Sequence, residues 1–403
     1  MLDVTDKNNN AGSPIEVFLA FLKLGLTSYG GPIAHLGYFR RELIERRGWL
    51  SDNQFGQLLA ICQFLPGPTS SQLGFCIGLL RAGWLGALLA FLAFTLPSAI
   101  LLIAFSTILP MLSGSVGVKA VHGLKLVACA VVTDAVLAMA KRLCPDITRR
   151  AIAVLSLAAL LLISSTTVQF LVVVCAALAG TLLLRNITAP DSAHKIPISY
   201  KPGVGVLFIL LFGLLLISLP VFATAKPDIL SVAGAFYQAG ALVFGGGHVV
   251  LPLLKDSIVT SGWVTPEQFL AGYGASQAIP GPMFAFSAYL GSVLSAEESA
   301  WLMALVALGF MFLPGFLLII GVLPFWSAIS QKPLASRAIA GVNAAVVGLL
   351  AAALYNPIFT SGINGPSDVA IVVVAFGLLT IWRLSPLIVV VWCVFANIFL
   401  LWL

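Results

Sequence analysis

The sequence predicts an all-α polytopic membrane protein made of two homologous halves in inverted repeat, with helices broken by Gly and Pro. Three observations support this prediction: the hydropathy of the chain, an internal repeat and the unequal charge of equivalent loops. The 403 residues are 60% hydrophobic and only 9% charged, and their mean hydropathy is +1.06. No water-soluble domain carries so apolar a composition over its surface.

Long uncharged stretches indicate where the chain crosses the membrane, since a helical crossing needs about 20 apolar residues. They are too continuous for an outer-membrane barrel, whose strands alternate apolar and polar side chains. The number of crossings stays open between nine and about thirteen, because some stretches are broken by Gly and Pro. The stretches without Lys, Arg, Asp or Glu are 84–109, 151–184, 203–225, 229–254, 268–296, 299–331, 338–367 and 384–403.

An internal repeat is visible in the order of Gly, Pro, Trp and Gln residues. FLKLGLTSYGG, which begins at Phe21, matches FYQAGALVFGG, which begins at Phe236. Gln63 with the following Pro-Gly-Pro matches Gln277 with its own Pro-Gly-Pro, at an offset of 214. Later the offset drifts, so that Gly123 meets Gly341. So many matches in the same order indicate a duplication.

Equivalent loops of the two halves differ strongly in basic residues. YFRRELIERRGW carries four arginines, whereas its counterpart LLKDSIVTSGW carries one lysine. KRLCPDITRR has four basic residues, and the matching NPIFTSGINGPSD has none. Basic loops stay in the cytoplasm, so equivalent loops are predicted to lie on opposite sides of the membrane.

These patterns divide the chain into a disordered tail (1–14), a first repeat (15–185), a linker with one extra transmembrane helix (186–227) and a second, inverted repeat (228–403). The apolar run 203–225 has no partner in the other half and supplies the odd crossing that inversion requires. Inverted repeats are typical of secondary transporters, which bind substrate near the membrane midplane between discontinuous helices.

The stretch QFLPGPTSSQ, from Gln63 to Gln72, is predicted to be such a discontinuity. Pro68 is expected as the first residue of a half-helix whose free N–H groups lie at Thr69, Ser70 and Ser71. A helix N-terminus with added hydroxyls binds anions, and Gly67 is expected to let the anion approach the backbone. The segment 55–80 is long enough for one kinked crossing or a re-entrant pair of half-helices, and loop charges favour the re-entrant pair.

In the motifs of both halves, the sequence resembles the chromate transporter family in its long, two-domain form. The resemblance rests on FLKLGLTSYGGPIAHLGYFRRELIERRGWL, QFLPGPTSSQ and FTLPSAILL, and on FGGGHVVLPLL, GWVTPEQF and QAIPGP in the second half. It implies an inner-membrane protein that expels chromate by using the electrochemical gradient. The residues themselves indicate only a small anion, so sulfate or another oxyanion remains the alternative substrate.

Charged residues in the apolar run 116–140 are functional candidates because of their cost in a membrane. On one helix Lys119, His122 and Lys125 span about 120° around the axis, while Asp134 lies about 180° from Lys125 and cannot bond to it. Lys125 is predicted either to attract the anion or to be a structural lysine. Asp134 is either a proton carrier or a counter-ion.

Histidines just beyond the Gly-rich breaks can titrate near neutral pH. His35 is a candidate for proton coupling, whereas His248 is expected to be a hydrogen-bonded cavity residue. Lys23, beside the first break, is a further coupling candidate or a lysine that reaches the interface. With these, the predicted substrate-binding set is Gly30, Gly31, Gln63, Gly67, Thr69, Ser70, Ser71, Gln72, Lys125, Gly245, Gly246, Gln277 and Gly281.

Other function classes find little support in the sequence. A hydrolase would need a nucleophile with a base or a metal set, and there is no HExxH and no carboxylate dyad within the spans. The six cysteines form no CxxC motif, so neither a zinc site nor a disulfide framework is predicted, and no cofactor is expected. The net charge of +6 is typical of cytoplasmic membrane-protein loops and gives no reason to expect nucleic acid. A passive anion channel and a homodimer stay open.

Overall fold

The structure is a computed structural model that describes residues 12–163, 165–187, 200–294 and 299–402. Regular secondary structure in these ranges is helical throughout, which confirms the predicted all-α class. The tail expected over 1–14 lies mostly outside the described residues, which start at residue 12. Its last residue, Pro14, already begins the first helix. The helices are α1 Pro14–Thr27, α2 Gly31–Phe39, α3 Asp52–Phe64, α4 Thr69–Ile108, α5 Ser115–Leu143, α6 Ile147–Leu162, α7 Thr166–Leu183, α8 Pro202–Val221, α9 Ile229–Leu242, α10 Val250–Leu254, α11 Pro266–Ser276, α12 Phe286–Val293, α13 Ala300–Val322, α14 Trp326–Ile329, α15 Pro333–Ala353, α16 Thr360–Gly362, α17 Pro366–Thr380 and α18 Pro386–Phe399.

Five helical stretches are long and apolar enough to cross a membrane by themselves. The extra helix predicted in the linker is among them as α8, and most of its surface is exposed rather than packed on the protein. Several shorter apolar helices, such as α9, α17 and α18, accompany the long ones. The long stretches are Thr69–Met111, Ser115–Leu143, Pro202–Val221, Ala300–Ile329 and Pro333–Gly362.

Helix α4 consists of two antiparallel arms, 69–81 and 84–108. The chain reverses at Ala82 and Gly83, and Gly83 has the left-handed φ of 65° that such a turn requires. The arms pack closely, because a Cβ atom on Gly78 would lie 2.5 Å from the carbonyl oxygen of Gly86. The first arm is therefore a half-helix that returns to the end of the molecule where the second arm starts.

The pair formed by α3 and the first arm of α4 is re-entrant. Trp49 stands just before α3, and Arg81 ends the first arm of α4. The Arg81 guanidinium lies 5.3 Å from the centre of the Trp49 ring, and it also bonds Glu16 at the start of α1. The chain thus enters and leaves this hairpin at one end of the protein, as the loop charges predict.

Contacts between the halves show that the repeat is inverted. The second arm of α4 runs from the Arg81 end to Ser106, whose hydroxyl accepts a hydrogen bond from Ser292 at the end of α12 (2.7 Å). At the start of α11, the Gln268 carbonyl accepts a bond from Tyr289 of α12 (2.8 Å). The hairpin of α11 and α12 therefore enters and leaves at the end opposite to that of its first-half counterpart.

Candidate substrate site at the crossing of the helix breaks

The broken segments of the two halves meet and exchange hydrogen bonds. The Gly67 N–H donates to the Val243 carbonyl (2.7 Å), and the Gly281 N–H donates to the Ser28 carbonyl (2.9 Å). Gly281 is the repeat partner of Gly67, and Val243 is the partner of Ser28, at offsets of 214 and 215. Each Pro-Gly-Pro break is thus bonded to the Gly-rich break of the other half. The breaks predicted from sequence form one site.

Gly67 does not leave the open approach to the backbone that the sequence suggested. Its N–H is bonded to Val243, and a Cβ atom would lie 2.9 Å from Gln72 Nε2 and 3.0 Å from the Gly315 Cα. The Gln72 amide fills this space by donating to the carbonyls of Pro66 (2.9 Å) and Gly315 (3.0 Å). Gly67 therefore serves a close approach of two protein segments rather than of an anion.

The helix start beside Gly67 keeps its unbonded donors. Helix α4 begins at Thr69, with Pro68 as its N-cap rather than its first residue. Within the described residues, no acceptor pairs with the N–H groups of Thr69, Ser70 and Ser71, whereas the next N–H, of Gln72, donates to Pro68. Such a terminus carries a partial positive charge toward an anion.

Buried polar atoms without a hydrogen-bond partner among the described residues gather on first-half segments. An unpaired polar atom is costly in an apolar interior unless water or a ligand satisfies it. His35 lies beside α4, with Nδ1 3.4 Å from Ser70 Oγ, and its ring packs edge-on to Phe94. The unpartnered atoms on these segments are Ser28 Oγ, His35 Nε2, Ser71 Oγ, Gln72 Oε1 and Thr95 Oγ1.

The side chains of the equivalent second-half segment are apolar or hydrogen-bonded. Met283, Phe284 and Ala285 follow its Pro-Gly-Pro, and all three are buried. Gln277 bonds Ser276 Oγ at 3.3 Å, and Ser287 Oγ donates to the Phe284 carbonyl. The two helix starts therefore differ in chemistry as the sequence predicts, with donors in the first half and apolar walls in the second.

A second polar region lies at the end of the molecule opposite residues 40–47, which we call the Arg-rich segment. It is a cavity of about 590 Å³ between the starts of α5, α11 and α17, which we call the α5 cavity. Lys125 lines it and donates to the Ser361 carbonyl (3.1 Å), so the structure separates Lys125 from the start of α4. His122 Nε2 lies 3.0 Å from Asp368 Oδ1 in the same cavity. The side chains that line it and carry a titratable group or an amide are Lys119, His122, Lys125, Glu267, Gln268, Asn364 and Asp368.

Comparison with known proteins identifies the family. The sequence model of the chromate transporter family matches residues 15–181 and again 230–398. This chain belongs to the chromate transporter family. It is 29% identical to the probable chromate transport protein of Synechococcus elongatus over 94% of both chains. It is 28% identical to the chromate transport protein of Pseudomonas aeruginosa, over 95% of this chain and 92% of that one. No solved structure matches the chain at a significant level.

The twofold match agrees with the two halves seen in the fold, and the protein is a multi-pass membrane transporter rather than a member of an enzyme family.

The Gly-rich breaks of this transporter face open space at two equivalent glycines. A Cβ atom on Gly31 or on Gly246 would meet no atom within 4 Å, whereas Gly30 and Gly245 each have a side chain nearby. Gln63 is exposed at the end of α3.

The proposed coupling residues are spread over the transporter. His35 lies at the crossing of the breaks, but Asp134 is half-buried on α5, lines neither region and has no bonded partner within the described ranges. Lys23 donates to Glu42 (2.7 Å), as an interfacial lysine would. Glu42 also accepts from Arg46 and Arg47. Although its burial alone would raise the Glu42 pKa, these hydrogen bonds lower it to about 2.

His248 fits its expected role, since its Nδ1 is hydrogen-bonded to the Tyr273 hydroxyl. Sequence reasoning missed Ser28 and Thr95 at the crossing, and Asp368 in the α5 cavity. Ser28 stands two residues before the Gly30 break, and Thr95 two before Pro97. A search for hydroxyl residues beside helix-breaking Gly and Pro would have found both. Asp368 follows a long uncharged run, and only the fold brings it to His122.

Proposed function

We propose that this protein is a secondary active transporter that exports chromate across the inner membrane, driven by the electrochemical gradient, and thereby gives chromate resistance. The two relatives described above are named for chromate transport, and the inverted halves support a mechanism of alternating access. The observation that carries the proposal is the start of α4. There, three N–H groups and the buried Ser71 Oγ, none with a partner among the described residues, lie at the crossing of the two halves.

Chromate is a tetrahedral dianion, and this helix start offers the chemistry to hold one. The N–H groups of Thr69, Ser70 and Ser71 point out of the helix N-terminus, and the helix dipole favours negative charge there. The Ser71 hydroxyl adds a donor that needs a partner. Since Ser70 and Ser71 are buried, each charge-assisted hydrogen bond there is stronger than it would be in solution. Thr69 Oγ1 is engaged with the Cys62 carbonyl and contributes only its N–H.

His35 supplies a titratable group next to the anion in this proposal. Its Nδ1 faces Ser70, and its Nε2 is buried without a partner in the described structure. Protonation of Nε2 would create a cation beside the dianion, which couples proton binding to anion binding. Lys23 is less suited to this role because it is held by Glu42, and Asp134 lies outside the crossing.

Sulfate is the second candidate substrate, because it presents the same tetrahedral array of acceptors and the same charge. A passive channel is the alternative mechanism, since broken helices also occur in channels. A homodimer is a further proposal. The exposed Leu207, Leu210 and Leu214 on α8 would face either lipid or a second copy.

Uptake of labelled chromate into inverted membrane vesicles tests the proposal. We expect accumulation above the outside concentration when a proton gradient is imposed and none when an uncoupler collapses it. Equilibration without accumulation would indicate a channel. Accumulation of sulfate at an equal rate, with mutual competition, would widen the substrate to divalent oxyanions. The absence of chromate movement in either direction would overturn the proposal.

A further inference from the structure

The α5 cavity is built around one face of a single helix. Lys119, His122 and Lys125 follow one another at intervals of three residues, so they lie on neighbouring positions of the same helix face. All three line the cavity of about 590 Å³, from the half-exposed Lys119 to the buried Lys125. The space exceeds what a tetrahedral oxyanion needs, so the anion could enter with part of its hydration shell.

The charges that face His122 come from three helices. Lys119 and Lys125 are on its own helix, Glu267 is at the start of α11, and Asp368 is in the first turn of α17. Asp368 is buried, and besides His122 it accepts a hydrogen bond from the Asn364 N–H (2.8 Å). With His122 neutral, the two lysines balance the two carboxylates. With His122 protonated, the cavity carries a net charge of one positive unit.

This balance couples anion binding to proton binding. A protonated His122 forms an ion pair with Asp368 and so removes the effect of that carboxylate on the lysines. The lysines are then free to attract an anion. By linkage, a bound dianion must favour protonation of His122 to the same degree. Neither the pair of His122 and Asp368 nor the two lysines take part in the hydrogen bonds between the broken segments.

We propose that the α5 cavity is a second oxyanion site of the transporter, at which Lys119 and Lys125 bind a divalent tetrahedral oxyanion together with a proton on His122. The proposal rests on the proposed function in one respect, the class of anion. It adds a second proton-coupled binding step, at His122, to the one proposed for His35. The start of α4 remains the site at the crossing of the halves.

The repeat shows that this site exists on one side only. With Gly123 matched to Gly341, the second-half counterparts of Lys119, His122 and Lys125 are Arg337, Ala340 and Asn343. Arg337 donates to the carbonyls of Arg185 (2.7 Å) and Ile187 (3.2 Å), so its guanidinium is engaged by the linker. In the described structure, the second half therefore does not repeat the set of two lysines and a histidine that lines the α5 cavity.

Calorimetry of sulfate binding to the purified full-length protein in nanodiscs tests the inference. Sulfate is the probe because it stays a dianion over the pH range used, whereas chromate takes up a proton. We expect the parent protein to bind sulfate at least about fivefold more tightly at pH 5.5 than at pH 8. His122→Gln should keep the affinity measured at pH 8 and lose the part of the pH dependence that belongs to the α5 cavity. Lys119→Gln should weaken binding by about tenfold or more at pH 5.5.

Lys226→Gln is the matched control, since Lys226 is an exposed lysine in the loop between α8 and α9, outside the cavity. It should bind sulfate as the parent does. Because Lys125 is buried, Lys125→Gln is informative only if gel filtration shows a folded protein. The test therefore depends on Lys119→Gln, since Lys119 is half-exposed. An unchanged pH dependence in His122→Gln, or equal binding by Lys119→Gln and Lys226→Gln, would overturn the inference. Chromate accumulation by parent vesicles is measured separately, so a failure here would leave the proposed function standing.

Discussion

The two halves of the chain share their helix breaks but not the side chains beside them. In the first half, the Pro-Gly-Pro is followed by Thr69, Ser70 and Ser71, with free N–H groups and an unpartnered hydroxyl. In the second half, Met283, Phe284 and Ala285 occupy the same place and are buried. Duplication preserved the backbone geometry, including both bonds between the breaks, while the binding chemistry stayed in one half. The comparison supports the proposal that the first break holds the anion, whereas the second break serves the architecture.

The largest expected effect concerns the orientation of the halves, because it is all-or-none. We expect a cysteine at Arg46 to react with an impermeant thiol reagent only from the cytoplasm, and one at Ser261 only from outside. Both positions are exposed and lie in equivalent loops, of which the first carries four arginines and the second one lysine. The measurement uses intact cells and inverted vesicles, in a background with the exposed Cys175 replaced by Ser. Reaction of both cysteines from one face would contradict the inversion.

The next effect separates the two Pro-Gly-Pro glycines. Gly67→Ala should destabilise the protein by roughly 2–4 kcal/mol, since φ of 122° is strained for Ala and the Cβ would press on the Gly315 backbone. Gly281→Ala is also strained, at a φ of 100°, but it should cost less, because its closest neighbour is the Ser98 hydroxyl and the nearest backbone atom, the Gly25 carbonyl oxygen, lies 3.3 Å away. Thermal unfolding of the purified variants measures the difference. The filled space replaces the sequence-based expectation that Gly67 lets an anion approach the backbone. Equal stability of the two variants would contradict the predicted difference.

A smaller effect is expected at the Arg-rich segment, whose second-half counterpart has no arginine. Glu42→Gln should lower stability by about 1–2 kcal/mol at pH 7, since half-exposed Lys23 and Arg46 are partly screened by water. Because the Glu42 pKa is lowered from 4.5 to about 2, this stabilisation is complete above pH 4.5 and is lost as the pH falls toward 2. The measurement is unfolding as a function of pH. Glu45→Gln is the control, as Glu45 lies on the same segment, is exposed and has one distant partner, Arg40 (3.9 Å); a loss as large in Glu45→Gln would contradict the assignment.

Much of the architecture could be predicted from the sequence. Hydropathy gave the class, the Gly and Pro matches gave the repeat, and loop charges gave its inversion, because these signals depend on single positions. The sequence did not predict in full which side chains line each of the two polar regions. Lys125 and Ser70 looked like parts of one site, yet they lie in separate regions, since the rotation and depth of α5 depend on packing against α11, α17 and α18.

The role of Gly67 was also outside the reach of the sequence. A glycine between two prolines admits either a ligand or another backbone, and the motif reads the same in both cases. Only the fold brings Val243 and Gly315 to it. The asymmetry of the two helix starts, by contrast, was visible in the residues after each Pro-Gly-Pro and needed no structure.

The most direct test of the account compares hydroxyl removal at the two helix starts. Chromate transport is measured in proteoliposomes that contain equal amounts of the parent protein, the Ser70→Ala/Ser71→Ala variant or Ser287→Ala. Because Ser71 Oγ is an unpartnered donor at the proposed site, while Ser287 Oγ is bonded to the Phe284 carbonyl, only the first variant loses an anion contact. We predict a fall of about tenfold or more in the initial rate for Ser70→Ala/Ser71→Ala and nearly parental transport for Ser287→Ala. Equal rates for the two variants would contradict the claim that the first half holds the substrate.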